Sequence, residues 1–211
     1  MRRLVTLGVV ALMLGGGSVL GGCSVLGRHE VKKPQRLTST LCDAIGVDAL
    51  RGLVPDGKIE QYAGADDNLV DDLADAGCNV TVANDAGWGD VRILVRRAGQ
   101  TATSTAREYA GTLLRTECGK IAEPGWATGM AEHNRDFTAG PPTEPTGVGD
   151  EACMITAEHT LLDDRVAQVW VYARRGIEFV QLEYTWGGGD ITAMSAKAVD
   201  LTRAVFGARL S

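Results

Sequence analysis

Five cysteines, three histidines and an excess of acids are the residues through which this 211-residue chain could do chemistry, and their spacing decides which chemistry. Cys23, Cys42, Cys78, Cys118 and Cys153 stand far apart, with no C-x-x-C pair. The short ligand spacing of a structural zinc site is therefore missing. His29, His133 and His159 belong to no H-E-x-x-H. The chain also lacks a G-x-S-x-G elbow, a phosphate-cradling glycine loop and a dinucleotide fingerprint. Glu132-His133 and Glu158-His159 could join a serine only if the fold brought them together. Asp66, Asp67, Asp71, Asp72 and Asp75 invite a calcium reading, but the alternating spacing and mid-loop glycine of a calcium loop are absent. The expectation is a chain with no catalytic residue, no metal and no cofactor, and hence not an enzyme.

The N-terminus supplies a different chemistry for Cys23. Met1-Arg2-Arg3 and the apolar run Leu4 to Leu14 have the charge and length of a secretory signal. A membrane span would need about 20 apolar residues, and this run dissolves into Gly15-Gly16-Gly17-Ser18. Leu20-Gly21-Gly22-Cys23 resembles the lipobox of bacterial lipoproteins. That resemblance implies a diacylglyceryl group on the Cys23 sulfur and cleavage just before it. Residues 1–22 are then a lipoprotein signal peptide, 23–38 a lipidated tether carrying Arg28, Lys32, Lys33 and Arg36, and 39–211 one extracytoplasmic domain. Two fatty acyl chains anchor a protein stably, so the expected location is the outer face of the cell membrane.

Lipidation of Cys23 leaves four cysteines in an oxidising compartment, which favours disulfides. Four cysteines allow three pairings. Cys42–Cys78 with Cys118–Cys153 is the favoured one, since each bond would tie a helix to a nearby strand. The formal net charge of −6 falls further once Arg2 and Arg3 are removed, which argues against nucleic acid. Aromatics are only 5 % of the chain, so composition offers no obvious stacking platform for sugars or bases. Arginine-, alanine- and glycine-rich usage points to a GC-rich genome.

These residues need elements to hold them. Thr40 to Val54 reads as one short helix or two helical turns, and Gly64 to Gly77 as a solvated acidic loop or helix. Cys78–Ala83 and Asp90–Arg96 alternate as strands around a hairpin. Thr103–Cys118 carries a helical stripe of Ala106, Tyr109, Ala110, Leu113 and Leu114. Gly119 to Gly149 reads as loops with at most one or two short strands. Glu151–His159, Arg165–Arg174 and Ile177–Trp186 read as strands, and Asp190 as the N-cap of a last helix. The fold class is α+β: an antiparallel β-sheet with packed helices. Strands followed by a helix occur twice, compatible with two degenerate strand-strand-helix modules, although no residue-by-residue repeat supports a duplication.

The lipobox, the helix opening at Cys42-Asp-Ala-Ile, the strand opening at Cys78 and Gly147-Val-Gly-Asp-Glu-Ala152 together resemble the actinobacterial lipoproteins of unknown function. They are also distantly similar to the extracellular sensor domains of actinobacterial serine/threonine kinases. Val80 stands where that lipoprotein group typically has tryptophan. The resemblance implies a disulfide-stapled envelope domain and no catalytic residue. The expected function is a binding or accessory module of the cell envelope, with an unidentified envelope protein or ligand as partner. The alternative is a carrier or sensor of a small apolar or lipid ligand, held beside the apolar pair Val166–Tyr172 and Val180–Trp186.

Overall fold

Successive side chains of a strand point to opposite faces, and the chain builds one sheet from such strands. The computed structural model describes residues 29–63, 73–84, 87–208 and 210. Cys23 and four of the five aspartates weighed for calcium lie outside them. In chain order come α1 (Leu41–Ile45), α2 (Val47–Arg51), β1 (Lys58–Ala63), β2 (Leu73–Asn84), β3 (Gly87–Ala98), α3 (Ala106–Ala122), α4 (Pro124–His133), β4 (Arg135–Ala139), β5 (Glu151–Leu161), β6 (Asp164–Arg175), β7 (Glu178–Gly187) and α5 (Ile191–Gly207). The strands form a seven-stranded sheet in the order β1-β2-β3-β7-β6-β5-β4, and every pairing is antiparallel. The fold is α+β. Two meanders, β1 to β3 and β4 to β7, meet where β3 pairs with β7.

One face is closed along most of its width. Val80, Val91, Ile93, Val95, Val169, Val171, Val180 and Leu182 point into a core capped by α1, α2 and α5, through Leu41, Leu50, Met194, Leu201, Val205 and Phe206. The opposite face is closed on one half only. There Cys153, Ile155, Ala157, Trp170, Tyr172 and Phe179 lie beneath Leu114 and Ile121 of α3 and the partly buried Trp126 and Met130 of α4.

Local signals account for the helix ends. Thr105 and Glu108 form a reciprocal capping box: the Thr105 hydroxyl accepts from the Glu108 N–H at 3.3 Å, and the Glu108 carboxylate accepts from the Thr105 N–H at 2.8 Å. Asp190 accepts from the Ala193 N–H at 2.8 Å and starts α5. Three elements depart from the sequence expectation. β1 occupies Lys58–Ala63, where no element was expected. β2 begins at Leu73, inside the segment read as an acidic loop or helix. α4 fills part of the stretch read as loops, started by Pro124 at its first turn.

The β5–β6 hairpin turns through Leu162 and Asp163, both at positive φ (49° and 74°). This is a two-residue turn whose positive φ angles suit Asn or Gly, and Leu162 is 91 % exposed at its tip. Leu162→Asn is expected to stabilise the protein by about 0.5–1 kcal/mol, read as a higher urea midpoint. An unchanged or lower midpoint would show that the turn carries no strain.

Candidate functional site

The uncovered half of the second face is where side chains gather without a helix above them. Strand register puts them in rows. Tyr62, Gly77, Leu94 and Gln181 are paired in succession across β1, β2, β3 and β7; the next row is Glu60, Asn79, Arg92 and Glu183; the third is Lys58, Thr81, Asp90 and Thr185. Strands lie about 4.8 Å apart, so these rows tile a floor roughly 14 Å wide. Apart from Gly77, the first two rows line a groove of about 450 Å³ together with Thr81. Tyr62 is 46 % exposed at its rim. Its ring covers Gly77, where a Cβ would collide with it, so glycine is what lets the aromatic lie against the sheet.

The charges on this floor are largely spent on each other. Lys58 pairs with Glu60 at 2.6 Å and Arg92 with Asp90 at 2.7 Å. Glu183 is the half-buried acid. Burial pushes its carboxyl above the ordinary value and neighbouring Asp90 adds to the push, while Arg92 and the Trp170 side chain pull it back. Gln168 donates to Glu183 at 3.5 Å and to Thr185 at 3.3 Å. An acid with a raised folded pKa is destabilised while ionised, and that cost is relieved as pH falls through the folded pKa. Glu183→Gln is therefore expected to stabilise the protein at pH 7 by under about 1 kcal/mol. The gain should vanish below pH ~4.3, where the wild-type acid is itself protonated. Urea midpoints of both proteins across pH 4–7 check this; a loss of stability at pH 7 would show that Glu183 is held by its charge.

A second groove, of about 480 Å³, runs between α3 and the Gly147–Ala152 segment. Its motif is a clasp. Val148 is buried in the core beneath α5. The Asp150 carboxylate accepts from the Gly176 N–H at 2.9 Å and from Arg174 at 3.2 Å, closing the β6–β7 turn. Glu151 takes the other Arg174 nitrogen at 2.8 Å. The Gly176 hydrogen bond is the main reason the Asp150 carboxyl sits below its ordinary value. Gly149, at φ +64°, brings the chain so close to the Arg174 carbonyl that a Cβ would collide with it. These polar groups hold the fold together, and few remain to meet a ligand.

The residues singled out for chemistry are dispersed. Cys42 bonds Cys78 and Cys118 bonds Cys153. The two disulfides sit on opposite faces of the sheet, Cys42–Cys78 in the closed core and Cys118–Cys153 beneath α3. His133 lies exposed at the end of α4 with Nδ1 on the Gly129 carbonyl at 3.0 Å. His159 is buried near Phe137, with Nδ1 unpartnered and its pKa lowered by that burial. Glu158 pairs with Arg165 instead of a histidine. Neither histidine forms a pair with a carboxylate and a serine among the described residues. The apolar strand pair Val166–Tyr172 and Val180–Trp186 packs against helices on both faces. Tyr62 and Glu60 were missed because β1 was missed. The available signal was weak: Ile59 and Tyr62 in a six-residue stretch between Gly57 and Gly64.

No family model matches the chain, and no curated protein does. Among solved structures, the crystal structure of LpqN, a protein involved in cell envelope biogenesis of Mycobacterium tuberculosis, aligns at 13 % identity. The alignment covers 71 % of this chain and 82 % of LpqN, with a TM-score of 0.31.

Proposed function

We propose that the chain is a lipid-anchored, non-catalytic binding module on the extracytoplasmic face of the cell membrane, working through the uncovered half of its sheet. The observation that carries this reading is the one-sided cover: α3 and α4 close the β4–β7 half of the face, and the groove floor of β1, β2, β3 and β7 has no helix above it among the described residues. A sheet face that is solvated on one side needs no partner. This one, however, arranges an aromatic, two amides and a half-buried acid around a groove. The carrier alternative has less support, because its apolar strand pair is filled by Met194, Ala198, Leu201 and Val205.

The anchor reading rests on Leu20-Gly21-Gly22-Cys23 after a short apolar run. No helix of the described residues is long and apolar enough to cross a membrane. From His29 onward the chain follows the domain. Lys32 and Gln100 exchange backbone hydrogen bonds at 2.9 Å, Leu37 is buried, and Arg97 reaches the Gln35 and Arg36 carbonyls at 3.4 Å. Fully extended, the chain from Cys23 to His29 spans at most ~20 Å. A lipid on Cys23 would thus hold the domain against the bilayer surface.

One experiment tests both halves. A photo-crosslinking residue replaces Thr81 on the groove or Thr116 on the exposed side of α3, in cells carrying Cys23 or Cys23→Ala. The expected result is envelope adducts from position 81 and not 116, with the protein retained in the membrane fraction only when Cys23 is present. Equal adducts from both positions would overturn the face assignment. Membrane retention and processing of Cys23→Ala would overturn the anchor.

A further inference from the structure

We infer that the groove floored by Tyr62, Asn79, Arg92, Gln181 and Glu183 binds a neutral, polyhydroxylated oligosaccharide, a reading that rests on this open face being the binding surface. Charge narrows the ligand first. A site for phosphate, sulfate or nucleic acid presents unpaired cations. Here Arg92 is closed onto Asp90 at 2.7 Å and Lys58 onto Glu60 at 2.6 Å. The remaining acid, Glu183, would repel an anion. A lipid tail or apolar peptide needs an apolar floor, and this floor has Leu94 and the Tyr62 ring among polar side chains.

What the floor offers is hydrogen-bonding capacity with no unpaired cation. The side-chain amides of Asn79 and Gln181 are engaged by no other described residue. Each brings an acceptor oxygen and two donor hydrogens. The Thr81 hydroxyl both donates and accepts, and the Glu183 carboxylate accepts only. The buried Gln168 Oε1, on the strand beyond β7, is also without a partner. Alternating donors and acceptors at strand spacing complement a ligand whose every hydroxyl both donates and accepts.

Tyr62 adds the other half of sugar chemistry. One side of its ring lies on Gly77 and the residue is 46 % exposed. The outward ring face is a flat apolar plate for the C–H face of a pyranose. At the far end of β3, Trp88 lies over Gly187 in the same manner. By register both aromatics sit on the groove side of the sheet, separated by the polar rows. Aromatic plates flanking hydrogen-bonding rows, on a floor roughly 14 Å wide, suit a short oligosaccharide better than a single sugar. Composition alone could not show this: aromatics are few, but two of them are placed where a glycan would stack.

The test is saturation-transfer NMR on the mature, lipidated protein in an amine-oxide detergent, which carries no sugar headgroup. The probes are cellohexaose, chitohexaose and maltohexaose, with a sulfated heparin hexasaccharide as the anionic comparison. At least one neutral hexasaccharide should receive saturation at its ring protons. Tyr62→Ala should weaken it about tenfold while Tyr62→Phe retains it. Asn79→Ala and Gln181→Ala should weaken it too, and Leu162→Asn on the distant hairpin should not. No saturation of any neutral probe, or binding untouched by Tyr62→Ala, overturns the inference. Binding of the sulfated probe alone overturns it as well. If position 81 still crosslinks to an envelope protein in that case, the binding-face reading survives; silence in both assays removes both.

Discussion

Replacing Cys42 and Cys78 together with alanine is expected to lower the unfolding free energy by more than about 4 kcal/mol, and by more than the same change at Cys118 and Cys153. The two bonds span 36 and 35 residues, so the entropy they remove from the unfolded chain is nearly equal, about 4 kcal/mol each. Their surroundings differ. Cys42 and Cys78 are both fully buried, whereas Cys153 is slightly exposed and Cys118 only partly buried. Deleting the first pair therefore leaves sulfur-sized voids in the core that the second deletion largely avoids. α1 is also only five residues long, too short to persist alone. It is held by the disulfide and by the Gln61 side chain, which accepts from the Cys42 N–H at 3.1 Å. Urea titrations of the two double variants measure the difference, and amide exchange in residues 41–51 should rise only in the first. Equal losses in both would mean that burial around Cys42 and Cys78 adds nothing to chain entropy.

How far the fold was legible follows from the kind of signal each element carries. β5, β6, β7 and α5 announce themselves because their alternation or helical stripe is long and their ends are marked, by Gly176 between strands and Asp190 before the helix. The disulfide pairing was readable for a related reason: a helix and a strand close in sequence were each given one cysteine. β1 carries only six residues of mixed polarity, Lys58–Ala63, and its partner strand lends it the regularity its own sequence lacks. The start of β2 reads as acidic loop because tertiary pairing with β3, from Leu73 opposite Ala98 onward, overrides local propensity. α4 contains two glycines and no fully buried residue, so no stripe betrays it. The groove was least legible. Its residues are the polar members of alternating strands, which a sequence reading assigns to solvent. Only the sheet order, with β3 beside β7, shows that Arg92 and Glu183 are neighbours.

Trp170→Ala is the second large effect, and it tests what holds α4 to the sheet. Trp170 is 7 % exposed and meets Trp126 edge-on at 5.6 Å; Trp126 in turn meets Phe137 at 5.9 Å. Since α4 buries no residue fully, these rings are its main attachment to the sheet. Truncating the buried Trp170 ring should cost about 3–5 kcal/mol and free residues 124–139 to exchange. Trp126→Ala should cost less, because Trp126 is only partly buried, and a double-mutant cycle should return about 0.5–1.5 kcal/mol of coupling between the rings. A stability loss under 1 kcal/mol, or no coupling, would mean that α4 is held elsewhere. The functional consequence runs the other way. Asn79, Thr81, Arg92 and Gln181 stand on strands held by the β2–β3 and β3–β7 ladders, which α4 does not support. At a temperature where Trp126→Ala is still folded, crosslinking from position 81 should persist. Its loss would place the binding surface under α4 and not on the open half. The closed half of the sheet would then be the part that meets the partner, with α4 as its movable cover.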